Sequence, residues 1–282
     1  MKNHPCFSGE CRPTTGRIHL PVSPSCNIRC RFCARGLSPD LARPGQAAKL
    51  VTPREAMGIL DRAMLICPDL KVAGVAGPGD PLASPHAVET LGLIHQKYPQ
   101  LINCLSTNGL ALADYLPALM AAGVQSLTVT VNAVDPGILT QLCAGIVWEG
   151  ADLGGYEGCA FLIASQREGI RRARASGLNI KINMVVAPEI NGRHVGQVAR
   201  AAADWGAAFI NLIPLLPAGE LSGAARPGPE YMEEANEVAG RHLPPLRHCR
   251  RCRADACGVP GQSDFARELY QDWGPVETFS HG

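Results

Sequence analysis

Six short apolar runs, each followed by a stretch patterned for a helix, constrain this chain more than any other feature. The runs are Arg17–Ser25, Leu70–Gly77, Leu101–Gly109, Ser126–Ala133, Asn179–Val186 and Phe209–Pro217. Each is of strand length. Several are apolar on both faces, as strands are when helices cover one side and a core fills the other. Thr52-Pro53-Arg54-Glu55 carries the marks of a helix start: Thr as N-cap, Pro at the first position, Glu three residues after the Thr. Further helices are expected from Ser84 to about Tyr98 and near Ala111–Ala122, Ala160–Ser176 and Asn191–Trp205. The connection from Asp135 to Cys159 is rich in glycine and reads in part as loop. Strand–helix units in series imply an α/β fold with a parallel sheet and right-handed crossovers. Six units fall short of the eight that close a barrel. A partial (β/α)6 TIM-like barrel and a doubly wound open sheet both fit, and both place the ligand site at the C-terminal ends of the strands. After Ala218 the pattern changes to a Gly/Pro-rich stretch, a helix from about Glu230 to Arg241, and a tail rich in Cys, Arg and His.

A net charge of +1 over 282 residues excludes a globally basic nucleic-acid binder. The N-terminus has no apolar core of signal-peptide length, and no run of transmembrane length occurs. The expectation is a cytoplasmic protein with no membrane and no nucleic acid among its partners. The number that needs explaining is 12 cysteines. In a reducing compartment, clustered thiols bind metal or do redox chemistry, whereas isolated ones pack as small hydrophobes. Cys67, Cys143 and Cys159 stand alone in apolar context and belong to the second class.

The sharpest cluster is Cys26-Asn27-Ile28-Arg29-Cys30-Arg31-Phe32-Cys33, just after the first strand. Three thiolates in a C-x3-C-x2-C loop can hold a [4Fe–4S] cube and leave one iron open. A zinc site is the alternative. Ala76-Gly77-Pro78-Gly79-Asp80-Pro81 follows the second strand, where glycines let backbone approach a ligand and Asp80 supplies a carboxylate. Ser106-Thr107-Asn108-Gly109 ends the third strand and Asn132 the fourth. At the far end, Cys249 and Cys252 form a C-x2-C half-site for iron–sulfur or zinc, with Arg247, Arg250, Arg251 and Arg253 placed to offset thiolate charge.

The cysteine loop, on the first of a series of strand–helix units, resembles that of the radical S-adenosylmethionine (SAM) enzymes. The resemblance makes Cys26, Cys30 and Cys33 the ligands of a [4Fe–4S] cluster whose open iron binds SAM, with Phe32 as the aromatic common in that loop. It makes Gly77, Gly79 and Asp80 the SAM amino-group motif, and it implies SAM contacts from Thr107, Asn108, Asn132 and Asn183.

Within that superfamily the chain resembles the NifB family of nitrogenase cofactor biosynthesis. The segments that carry this are His4-Pro5-Cys6-Phe7-Ser8, residues 16–22, the cysteine loop, Arg43-Pro44-Gly45, residues 76–82, residues 104–110, Lys181-Ile182-Asn183, residues 188–191, residues 211–215 and His248–Ala256. The resemblance implies a radical-SAM partial barrel over 17–218, flanked by cluster-binding extensions at 1–16 and 219–282. It implies two further [4Fe–4S] clusters as substrates, held by ligands from His4, Cys6, Cys104, Cys249 and Cys252, and a catalytic role for Arg43. The activity implied is methylation and fusion of the two clusters into a carbide-containing eight-iron precursor. The partners implied are iron–sulfur cluster donor proteins, carrier or scaffold proteins of nitrogenase assembly and an electron donor such as ferredoxin.

The chain departs from the family before Arg43, where Leu37–Ala42 lacks the usual Cys and Glu, and at Cys257, where an aliphatic residue is usual. It resembles the short form, without a C-terminal carrier domain. A radical-SAM enzyme acting on an organic molecule, or an iron–sulfur scaffold without SAM chemistry, are the alternatives. The first leaves His4, Cys6 and Cys104 without a task, and the second leaves the Gly-Pro-Gly-Asp loop without one.

Overall fold

The computed structural model describes residues 4, 6–7, 14–33, 37, 44–249 and 252–270. Cys11, Arg43, Arg250 and Arg251 lie outside the described residues. In chain order the elements are β1 (Gly16–His19), β2 (Ile28–Cys30), α1 (Pro53–Ile66), β3 (Leu70–Val75), α2 (His86–Lys97), β4 (Ile102–Thr107), α3 (Leu112–Ala121) and β5 (Val124–Thr130). Then come α4 (Pro136–Thr140), β6 (Cys143–Trp148), β7 (Ala151–Leu153), α5 (Gly155–Ala175), β8 (Asn179–Val186), α6 (Val195–Trp205), β9 (Phe209–Pro214), α7 (Pro229–Gly240), β10 (Cys257–Gly258) and α8 (Ala266–Tyr270).

The main sheet has the order β10-β1-β3-β4-β5-β8-β9. Its six central strands run parallel, each beside its predecessor in the chain. A doubly wound sheet reverses its strand order at a switch point. Here the order never reverses, so the helices stay on one face and the sheet curls into a partial TIM-like barrel. The six sequence runs supply these six strands. Thr52 caps α1 through the reciprocal Thr52–Glu55 capping box that the sequence signals. Helix α5 starts at Gly155, earlier than the expected Ala160.

The two faces of the sheet differ chemically. Ile18, Leu105, Leu127, Ile180 and Ile210 point outward into a core shared with Ile59, Leu60, Leu91, Ile94 and Leu112 from the helices. Each such side chain stabilises the fold by about 1.5–3 kcal/mol. The opposite, concave face is polar.

The glycine-rich connection holds a feature not legible as a strand pair. Strands β6 and β7 form a hairpin, and β2, which contains Cys30, joins it as a third antiparallel strand. Gly145 lies opposite Arg29, and a Cβ there would collide with the Arg29 guanidinium. Freed of that clash, Arg29 crosses the strand and pairs with Asp152 at 2.6 Å. A glycine inside a strand suppresses the sequence signal for it.

The C-terminal segment closes the other edge. Strand β10 pairs antiparallel with β1, with Ile18 opposite Cys257. The His19 N–H donates to the Ala256 carbonyl at 2.8 Å, and Tyr270 Oη donates to the His19 carbonyl at 2.9 Å. No helix among the described residues is long and apolar enough to cross a membrane.

Candidate active site

The concave face lines a cavity of about 320 Å³. Side chains reach it with the period of two that strands impose. Arg17 and His19 come from β1, Gly74 from β3, Cys104 and Ser106 from β4, Thr128 and Thr130 from β5, Lys181 and Asn183 from β8, and Asn211 from β9. Cys26, Cys30, Phe32, Gly79, Asp80, Thr107 and Asn108 line it as well, as do His4, Cys6, Cys249 and Cys252. Donors more than 240 residues apart in sequence therefore share one chamber. Cys33 is exposed. Gly77 and Asn132 are not on the wall, and Arg43 lies outside the described residues.

At one end the cysteine loop is tied down by a buried network. Asp80 accepts from Leu82 N–H at 2.9 Å, Thr107 Oγ1 at 2.9 Å and Asn108 N–H at 2.5 Å. Asn108 Nδ2 then donates to Asn27 Oδ1, inside the cysteine loop, at 2.6 Å. Asp80 thus fixes the turn after β4 and, through Asn108, the loop itself. Burial raises the pKa of Asp80, and the hydrogen bonds from Asn108, Leu82 and Thr107 oppose that rise by favouring the carboxylate, whose oxygens protein donors already occupy. Gly79 and Asp80 N–H groups donate to the Ser23 and Ser25 carbonyls and set the approach to Cys26. Gly77 has φ +139°, and a Cβ there would lie 2.6 Å from the Gly45 carbonyl oxygen. Its role is close backbone packing against the turn at Gly45. Asn132 Oδ1 accepts from Val185 N–H at 2.9 Å and joins the ends of β5 and β8.

At the other end the thiols meet cations. Arg17 Nη2 donates to Cys252 Sγ at 3.0 Å, and Asn211 Nδ2 donates to Cys249 Sγ at 3.3 Å and to Asn183 Oδ1 at 2.9 Å. Lys181 Nζ sits 5.2 Å from the centre of the Phe7 ring, which packs edge-on against His4. Of the arginines expected beside Cys249 and Cys252, Arg250 and Arg251 lie outside the described residues, while Arg247 pairs with Glu233 and Arg253 with Asp255. Among the described residues, the Arg and Lys side chains that line the cavity are Arg17 and Lys181, on β1 and β8, where sequence spacing does not mark them.

His19 is the other residue that sequence reading missed. In register, His19, Gly74 and Cys104 form one row across β1, β3 and β4. A Cβ on Gly74 would sit 3.2 Å from the Cys104 carbonyl oxygen and 3.5 Å from His19 Cδ2. The glycine leaves a gap between an imidazole and a thiol. His19 Nδ1 lies 2.8 Å from the Arg253 carbonyl. A carbonyl only accepts, so Nδ1 carries the proton and Nε2 keeps its lone pair, the arrangement usual in metal-binding histidines. Burial and the Arg17 charge lower the His19 pKa to about 4, which keeps the ring neutral. His4 differs. Its Nδ1 accepts from the Cys6 N–H at 3.1 Å, and its Nε2 is buried without a partner among the described residues. Burial, then Lys181 and His19, lower its pKa to about 3.

Burial pushes the Cys26 thiol up to about 12, with the Asp80 charge adding to it. Burial likewise pushes Cys6 up to about 11, Lys181 opposing and Cys252, Cys104 and Cys249 reinforcing. Cys104 is raised by burial too. These thiols are protonated until a metal displaces the proton. Among the described residues, no three of His, Cys, Asp and Glu close around a single metal ion. Soft donors spread along one wall suit polynuclear clusters, in which each iron takes one protein ligand. The Gly74 gap, the His4 Nε2 with no partner among the described residues and the thiol-rich wall fit such groups.

The sequence matches the Radical SAM superfamily over residues 20–202. It is 39% identical to the FeMo cofactor biosynthesis protein NifB of Methanocaldococcus jannaschii, over 96% of this chain and 91% of that protein. It is 38% identical to the protein of the same name from Chlorobaculum tepidum, over 93% of this chain, and 39% identical to that from Klebsiella pneumoniae, over 92%. Of those two longer relatives it spans 63% and 57% of the length. Among solved structures, native anSMEcpe with bound AdoMet and a peptide superposes with a TM-score of 0.50 at 18% identity, covering 71% of this chain and 50% of that one. That likeness concerns the fold.

Proposed function

This chain belongs to the NifB family of the Radical SAM superfamily, a family of FeMo cofactor biosynthesis proteins, and from that premise we propose that it methylates and fuses two [4Fe–4S] substrate clusters into a carbide-containing eight-iron precursor, using SAM. The observation that carries this reading is the single chamber shared by the cysteine loop and by Cys6, Cys104, Cys249 and Cys252. An enzyme acting on an organic molecule has no use for so many thiols on its substrate wall.

Cys26, Cys30 and Cys33 hold the resident cluster. With SAM on its open iron, that cluster supplies one-electron reductive cleavage of SAM. Asp80, through Thr107 and Asn108, keeps the cysteine loop in place and presents negative charge to the cationic end of SAM. Gly79 and Asn108 give backbone and amide surface for the rest of SAM.

The substrate clusters divide by wall. Cys6, His19 and Cys104 hold one, because His19 and Cys104 flank the Gly74 gap. Cys249 and Cys252 hold the other. A neutral His4 whose Nδ1 accepts carries its proton on Nε2, so it donates a hydrogen bond to a cluster sulfide. Arg17 and Lys181 offset the negative charge of the thiolate-bound cubes. The chain's part is to hold reactants close and oriented.

The reading is tested by anaerobic incubation of the reconstituted chain with a reductant and SAM labelled in its methyl carbon. The label should appear in an extractable iron–sulfur product, with 5′-deoxyadenosine and S-adenosylhomocysteine both formed. Absence of 5′-deoxyadenosine, or label found only in small organic products, contradicts it.

A further inference from the structure

A second cavity, of about 560 Å³, lies beyond the open edge of the half-barrel, between β9 and α7. It shares Asn211, Leu246 and Cys249 with the central chamber. The strap from Leu246 to Cys249 runs between the two: Arg247 faces the outer cavity, His248 the inner one, and Leu246 and Cys249 border both. Hydrogen bonds between Ile210 and the strap's entry anchor it to β9, with Leu246 N–H donating to the Ile210 carbonyl at 2.7 Å and Ile210 N–H to the Pro244 carbonyl at 3.0 Å. A half-barrel lacks the strands that would continue past β9, so this flank is where a bulky substrate can reach the concave face without crossing the helical layer.

We propose that this lateral cavity is the entry route for one substrate [4Fe–4S] cluster, and that Cys249 is the first protein thiol to take it. This rests on the two-cluster function proposed above. Three observations select a cluster rather than SAM. The cavity opens onto a thiol. It meets the chamber at β9, whereas the SAM end, at Cys26, Asp80 and Asn108, is built on the loops that follow β1, β3 and β4. Its rim bears the exposed Arg226, which has no ion pair among the described residues and can attract an anionic thiolate-capped cube. The transfer is ligand exchange. An Fe–Sγ bond to Cys249 forms, an Fe–thiolate bond to the donor breaks, and the Cys249 proton leaves with the donor thiol, with no change in electron count.

The probe is a [4Fe–4S] cluster capped by 2-mercaptoethanol thiolates, mixed anaerobically with the metal-free chain and followed by stopped-flow absorption. A Cys249→Ala/Cys252→Ala variant identifies the phase that belongs to this site. Asn236→Trp, which fills the outer cavity, should slow that phase about tenfold while leaving the final iron count unchanged, since the effect is on passage and not on ligands. Arg226→Glu, at an exposed position, should slow it about threefold at low salt and less at high salt. Both should leave 5′-deoxyadenosine formation at the Cys26 end unchanged. Full loading with unaltered rates in both variants overturns the route alone. Loading of the unmodified chain to only about four irons overturns the two-cluster reading and the route with it.

Discussion

The two ends of the central chamber are built by opposite means. At the end proposed for SAM, three cysteines lie within eight residues, and distant elements hold the one loop that carries them: β6 pairs with it, and Asp80 fixes it through Asn108 and Asn27. The fixed charge there is a buried carboxylate. At the end proposed for the substrate clusters, donors come from residues 6 to 252, and the positive charges among the described residues are Arg17 and Lys181. SAM carries a sulfonium and an ammonium, whereas thiolate-bound cubes are anionic. Each end thus presents the sign opposite to that of the ligand proposed for it. A short motif suffices where one loop must wrap one group. A large inorganic substrate needs donors from several segments, so the fold itself must assemble them.

The strongest way to break this contrast is to remove one end at a time. Cys26→Ala should lower 5′-deoxyadenosine formation more than about 100-fold while about eight irons remain per chain. Cys252→Ala should keep SAM cleavage but lose product. Loss of both properties in either variant would show that the ends are not separable. Gly74→Val fills the gap between His19 and Cys104. It should cost about four irons per chain and leave SAM cleavage intact; full iron content would remove His19 from the ligand set.

Titration of the metal-free chain sharpens the same contrast. Cys6 and Cys26 are raised from 9.0 to about 11 and about 12. The unfolded chain then loses those protons first as pH rises. Stability should be full below pH 9 and fall from there through about 11 and 12. His19 and His4 are lowered from 6.5 to about 4 and about 3, so their contribution is present above 6.5 and lost as pH falls through those values. Chemical denaturation across pH should show both losses, with Cys26→Ala reducing only the alkaline one. An alkaline limb unchanged in that variant would show that Cys26 is not the group concerned. The smallest effect expected is that of Asn108→Ala, which cuts the link to Asn27. It should raise the KM for SAM about fivefold, the worth of roughly one hydrogen bond, with iron content unchanged.

What was legible in the sequence follows the same divide. The six strands and the Thr52 cap were readable because each depends on neighbours in sequence. So was the cysteine loop. The order of strands, which decides between a half-barrel and a doubly wound sheet, is a tertiary fact. The hairpin β6–β7 was hidden by Gly145, whose missing side chain makes room for Arg29. Arg17, His19 and Lys181 stand inside segments that carry the family resemblance but received no role there, because a single polar residue in an apolar strand gains meaning only from what faces it across the sheet. The same holds for Arg247 and Arg253 beside the Cys249/Cys252 pair, whose ion pairs with Glu233 and Asp255 are tertiary facts.

With a SAM-binding cluster at one end of the chamber and two substrate clusters at the other, the anaerobically reconstituted chain should hold about twelve irons, and the Cys26→Ala/Cys30→Ala/Cys33→Ala variant about eight, by assay of iron and acid-labile sulfide. A fall from about four irons to none would show that the chamber holds no substrate clusters.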